Sequence, residues 1–65
     1  MEANIEIAQS LFKQNKYQET IDTCTTILAS DNESIEAIKL IEKSFLATRK
    51  IKDARFYFNK ALNIN

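Results

Sequence analysis

The sequence predicts an all-α fold in which two antiparallel helix-turn-helix hairpins stack as a short α-solenoid. Three observations predict it. Glycine and proline are both absent from the 65 residues, which disfavours turn-rich β sandwiches and phosphate-cradling loops, since both lean on glycine. Four segments carry apolar residues at helical spacing, separated by short polar breaks. The chain also resembles itself at a constant offset: Glu2, Ala3, Ile7, Ser10, Lys16 and Leu28 recur as Glu36, Ala37, Ile41, Ser44, Lys50 and Leu62. The apolar stripes keep one phase in both halves, and a fixed period of this kind marks a repeat architecture.

The first helix is expected near residues 2–14, with Ala3, Ile7, Ala8 and Leu11 on its inner face. The second, near 18–30, places Tyr17, Thr20, Ile21, Cys24, Ile27 and Leu28 at i, i+3, i+4 and i+7 without a gap, against a polar opposite face. The third, near 34–48, uses Ala37, Ile38, Ile41 and Phe45, and the fourth, near 52–64, uses Ile51, Ala54, Phe58, Ala61 and Leu62. Asn15-Lys16 breaks the first pair and Arg49-Lys50 the second, and connections this short force antiparallel neighbours. Between the pairs, Ser30-Asp31-Asn32-Glu33-Ser34 offers oxygen-bearing caps for the third helix. Residues 1–65 thus read as one module, with repeat 1 at about 1–34 and repeat 2 at about 35–65.

At these positions the chain resembles the tetratricopeptide repeat, whose unit has the same period. Ile7, Ala8, Leu11, Tyr17, Thr20, Cys24 and Ile27 stand at the family's patterned places in the first repeat, and Ile41, Glu42, Phe45, Ile51, Ala54, Phe58 and Ala61 in the second. Lys13-Gln14-Asn15-Lys16-Tyr17-Gln18-Glu19 is similar to the family's inter-helix turn. The chain departs from the pattern in several places. Asn4 and Ile38 replace a frequent tryptophan, Ile27 stands for alanine, and Asp31-Asn32 for aspartate-proline. Glu42 takes the place of a small residue, which implies looser or shifted packing of the second pair. Asn15 and Arg49 fill the turn's usual glycine position, where a left-handed backbone suits asparagine and strains arginine.

Composition narrows the function. Nine basic and nine acidic side chains cancel, which removes the electrostatic footprint of a nucleic-acid binder or a polybasic membrane anchor. The short basic run Arg49-Lys50-Ile51-Lys52 reads as a solvated turn. No signal-peptide core fits the first twenty residues and no transmembrane stretch fits anywhere, so a cytoplasmic location is the default expectation. With no histidine and one cysteine, the ordinary general base and any structural zinc site are missing. Cys24, flanked on its face by Ile21 and Leu28, is expected to be a buried structural thiol, and Asp31 and Glu33 to be caps. The reading is therefore not an enzyme and needs no cofactor or metal; it is a protein-interaction scaffold with a protein or peptide partner.

The family resemblance implies a groove lined by the first helix of each pair, here Glu2, Ile5, Gln9 and Phe12, then Lys39, Leu40, Lys43 and Leu46. Two lysines one turn apart beside apolar anchors suit an acidic, amphipathic segment. The family's chaperone-carboxylate clamp is not implied, because Ile5, Gln9 and Leu40 replace its lysine and asparagines. The last helix carries aromatic groups on more than one face: Phe58 belongs to the stripe, whereas Phe56 points away, and Tyr57 and Ile64 would meet a following repeat. Three arrangements account for this: the N-terminal part of a longer array or multidomain protein, a homodimer through the fourth helices that would make the chain a homo-oligomerisation domain appended to an enzyme or other downstream domain, or a single exposed phenylalanine without consequence.

Overall fold

A computed structural model of the chain describes residues 3–64. Helix α1 (Ile5–Lys13) begins at Asn4, whose backbone is extended and whose side-chain oxygen accepts the Ile7 N–H at 2.9 Å. This side-chain cap satisfies a donor that the first helical turn leaves without a partner. It also starts the helix later than the apolar spacing implies.

Both tight turns close in the same way. After α1, Asn15 takes φ 62°; its N–H donates to the Phe12 carbonyl at 2.9 Å and the Lys16 N–H to the Leu11 carbonyl at 3.0 Å. After α3 (Ile35–Ala47), Arg49 takes φ 64°, with Arg49 N–H to the Leu46 carbonyl at 3.0 Å and Lys50 N–H to the Phe45 carbonyl at 2.8 Å. This paired bonding around a left-handed residue is a Schellman ending. It is the geometry expected of the two positions that lack a glycine.

Helix α2 (Tyr17–Ser30) is rich in threonine, an indifferent helix former. Thr20, Thr23, Thr25 and Thr26 each turn a hydroxyl onto the carbonyl four residues back, at 2.8 to 3.1 Å. That bond lets Thr20 be fully buried without an orphaned hydroxyl. Ser44 does the same through the Leu40 carbonyl at 2.9 Å. The linker closes through Asp31, whose side chain accepts the Glu33 N–H, and Ser34 caps α3 by accepting the Ala37 N–H at 3.3 Å. Helix α4 (Ile51–Ile64) follows the second tight turn.

The four helices form an all-α stack of hairpins with no strand among the described residues. It is a flat body, 29 × 26 × 14 Å. Helix α3 lies against both helices of the first hairpin, whereas α4, among the described residues, packs on α3 and on neither α1 nor α2. Ala8, Ile21, Cys24, Ala37, Leu40 and Ile41 form the central cluster, with Ile5, Phe12, Ile27, Leu28, Phe45 and Tyr57 packed around it. Ala54 is buried where α4 meets α3. Glu42, one repeat after Ala8, is half-buried, and α4 still packs on α3.

One expectation about α4 is overturned. Of the stripe Ile51, Ala54, Phe58, Ala61 and Leu62, only Ala54 is buried; Ile51 is 51%, Phe58 48% and Leu62 58% exposed. The stripe exists, but among the described residues no helix lies on it. A single core in a chain this small rarely supplies more than about 3–5 kcal/mol. An uncovered stripe of three large side chains is therefore comparable in weight to the core itself.

Candidate functional site

Residues of α3 and α4 line an open trough. At one end a cavity of about 190 Å³ is walled by Glu42, Leu46, Ile51, Ala54, Arg55 and Phe58. At the other, a cavity of about 260 Å³ is walled by Lys39, Glu42, Lys43, Phe58, Ala61 and Leu62. Glu42 and Phe58 belong to both, so the two cavities adjoin. The floor and one wall are apolar, and Lys39, Lys43 and Arg55 supply basic groups along the rim.

The internal repeat identifies what kind of surface this is. Moved back by one repeat, Ala54, Phe58, Ala61 and Leu62 become Thr20, Cys24, Ile27 and Leu28, and Glu42 and Leu46 become Ala8 and Phe12. In the first hairpin these residues are buried or packed around the central cluster, and α3 rests on them. The trough is thus the second hairpin's counterpart of the surface on which a helix already lies. Phe58 in the place of Cys24 and Ala54 in that of Thr20 keep most of that counterpart apolar, while Glu42 in the place of Ala8 sets a carboxylate in it.

Several sequence-derived site residues are placed otherwise than expected. Lys39 and Lys43 share the trough, but the opposite wall comes from α4 and not from α1. Gln9 is exposed on α1, whereas Ile5 and Phe12 pack against the core, Phe12 meeting Tyr17 edge-on at 5.5 Å. Leu40 is not a groove residue: it is 9% exposed and lies in the central cluster, because α3 turns that side toward the first hairpin. Glu2 lies outside the described residues. Tyr57, half-buried, stacks on Phe45 at 5.7 Å and packs against the cluster. Ile64 is half-buried and shares a shallow surface depression with Asn32, Glu33, Lys60 and Asn63, beside the linker. Phe56 is 63% exposed, as expected, with its ring edge-on to Tyr57 at 5.0 Å.

The residues that sequence reasoning missed are Ile51, Phe58 and Leu62, which it assigned to the core. The signal was available, because the repeat offset pairs Phe58 with Cys24 and Leu62 with Leu28, positions that reach across to another hairpin.

Cys24 is fully buried, and burial pushes its thiol from 9.0 up to about 11, the behaviour of a structural cysteine. Among the described residues, no group of three or more histidine, cysteine, aspartate or glutamate side chains is placed to hold a metal ion. No helix among them is long and apolar enough to cross a membrane. Comparison with protein-family models, with curated proteins and with solved structures finds no match for the chain.

Proposed function

We propose that this chain is a non-catalytic interaction module of tetratricopeptide type whose trough between α3 and α4 receives an amphipathic helix from a protein partner. The observation that carries the reading is the uncovered apolar surface of Ile51, Phe58 and Leu62, whose counterpart in the first hairpin has a helix packed on it. A helix laid in a groove is held by apolar anchors at i, i+3, i+4 and i+7. Lys39, Lys43 and Arg55 along the rim favour a ligand with acidic residues flanking those anchors. The family's alternative groove, along α1 and α3, is weaker here, since Ile5, Phe12 and Leu40 are already engaged in the core.

A labelled peptide with the sequence of Ser34–Thr48 is a suitable probe, being a helix that already fits the equivalent surface. Fluorescence anisotropy should show saturable binding to the full chain. Phe58→Glu, at a half-exposed site that leaves the fold intact by circular dichroism, should abolish it. Absence of saturable binding, or equal binding by the variant, refutes the reading.

A further inference from the structure

We propose that the occupant of this trough is helix α1 of a second copy of the chain, so that copies stack head to tail and continue the solenoid. The proposal rests on the reading of the trough as a helix-binding surface and goes further by naming the helix.

Such an interface already occurs once inside the chain. Ala37, Leu40 and Ile41 of α3 join Ile21 and Cys24 of the first hairpin in the central cluster, and Ser44 is buried one turn further along the same helical face. Moved back by one repeat, that face becomes Ala3, Glu6, Ile7 and Ser10. Three of the four are unchanged. Glu6, Ile7 and Ser10 lie on α1 and Ala3 just before its Asn4 cap; Ala3 and Ile7 are half-buried and Ser10 is exposed.

The fourth position differs, and the receiving surface differs with it. Leu40 becomes Glu6, an exposed carboxylate in the first turn of α1. On the other side, Ile5, which packs against the cluster containing Leu40, becomes Lys39, and Gln9 becomes Lys43. Both lysines are exposed on the rim of the trough. Apolar packing of Ile5 within the chain thus corresponds, between copies, to the acid Glu6 set near the basic rim of Lys39 and Lys43, in a trough whose one carboxylate is Glu42. Self-stacking accounts for both changes together, whereas an unrelated partner requires no change in α1 at all.

The two surfaces lie on different helices of the chain, so the contact is heterologous. A heterologous contact whose rotation does not close generates an open series, not a closed pair. Sedimentation of the full chain over a wide concentration range should therefore give an average mass that keeps rising past two copies. Glu6→Lys, and the double variant Lys39→Glu with Lys43→Glu, change exposed side chains and should keep their helical circular dichroism. Each alone should associate about tenfold or more weakly, because like charges then face each other. Equal mixing of the two variants should restore association, since each copy now offers the other a complementary charge.

A parent that remains monomeric throughout overturns the proposal, as does a mass that levels off at two copies. Unchanged association in either variant, or failure of mixing to restore it, overturns it equally. The helix probe separates this proposal from the broader reading. A monomeric parent that still binds the Ser34–Thr48 peptide removes self-stacking and leaves the helix-binding surface standing; a parent that does neither removes both.

Discussion

Arg49 is the residue at which this fold stores the most evident backbone strain, and replacing it with glycine tests that directly. Its φ of 64° lies in the left-handed region, where the Cβ of an L-residue crowds the following carbonyl. The position is imposed by the turn: the Arg49 and Lys50 N–H groups close onto Leu46 and Phe45 at 3.0 and 2.8 Å, a bonding pattern that no right-handed residue there can make. The side chain itself is exposed. Relief of the left-handed penalty is worth about 1–2 kcal/mol. The extra freedom glycine gives the unfolded chain offsets about 0.5–1 kcal/mol of that. The net expectation for Arg49→Gly is a gain of about 0.5–1 kcal/mol, or about 2–8 °C in Tm for a domain of this size. Thermal circular dichroism at low protein concentration reads it without interference from association. Asn15→Gly provides the internal control. Asparagine tolerates the same geometry, and Asn15 also accepts a hydrogen bond from the Tyr17 hydroxyl at 2.9 Å that glycine deletes, so its gain should be smaller or absent. An unchanged or lower Tm for Arg49→Gly, or a larger gain at Asn15, refutes the argument.

Three further outcomes are expected. Cys24 should react slowly with a thiol reagent in native buffer and quickly in denaturant; fast native labelling contradicts its burial. Its raised pKa also sets a pH dependence: between about 9 and about 11 the unfolded thiol ionises while the folded one keeps its proton. Stability should therefore fall as pH rises through that window, and Cys24→Ala should show a shallower decline. Asn4→Ala removes the α1 cap and should cost about 1 kcal/mol in a urea titration; no loss would mean that α1 begins elsewhere. Finally, Phe56→Glu should leave both association and probe binding unchanged, because Phe56 is absent from the walls of the trough, whereas Leu62→Glu should weaken both. The opposite ranking would locate the contact on the other side of α4.

Local features of this chain are legible in its residues. The four amphipathic stripes, the two turns without glycine and the capping oxygens of the linker each act within a few residues, and each appears where periodicity and side-chain chemistry place it. The bounds of α2, α3 and α4 agree closely with the spacing; α1 starts late because the Asn4 cap competes with the spacing of Ala3 and Ile7. The errors concern which neighbour covers which face. Helix α4 carries two apolar faces, one with Phe58 and one with Tyr57, and periodicity ranks the longer stripe as core. Packing reverses the order, since Phe45 captures Tyr57 by stacking while Phe58 stays half-exposed on the trough. Leu40 fails for a related reason. A residue pattern shared with the groove of one helix can equally be the inner face of the next, and the choice depends on how α3 sits between two hairpins.

That α3 is, among the described residues, the only helix on which α4 packs has a consequence for the order in which the structure comes apart. Helices α1 and α2 each meet two neighbours and α3 meets all three of the others, but α4 can detach by breaking one interface, leaving the rest in contact. Its amides should exchange with solvent hydrogen through a partial opening, at a lower free energy than those of α2 and α3. Whatever lies in the trough clasps α4 and α3 together, so occupancy would be read most strongly as slowed exchange along Ile51–Ile64. The helix that carries the proposed binding surface is thus also the one whose order binding would reinforce most.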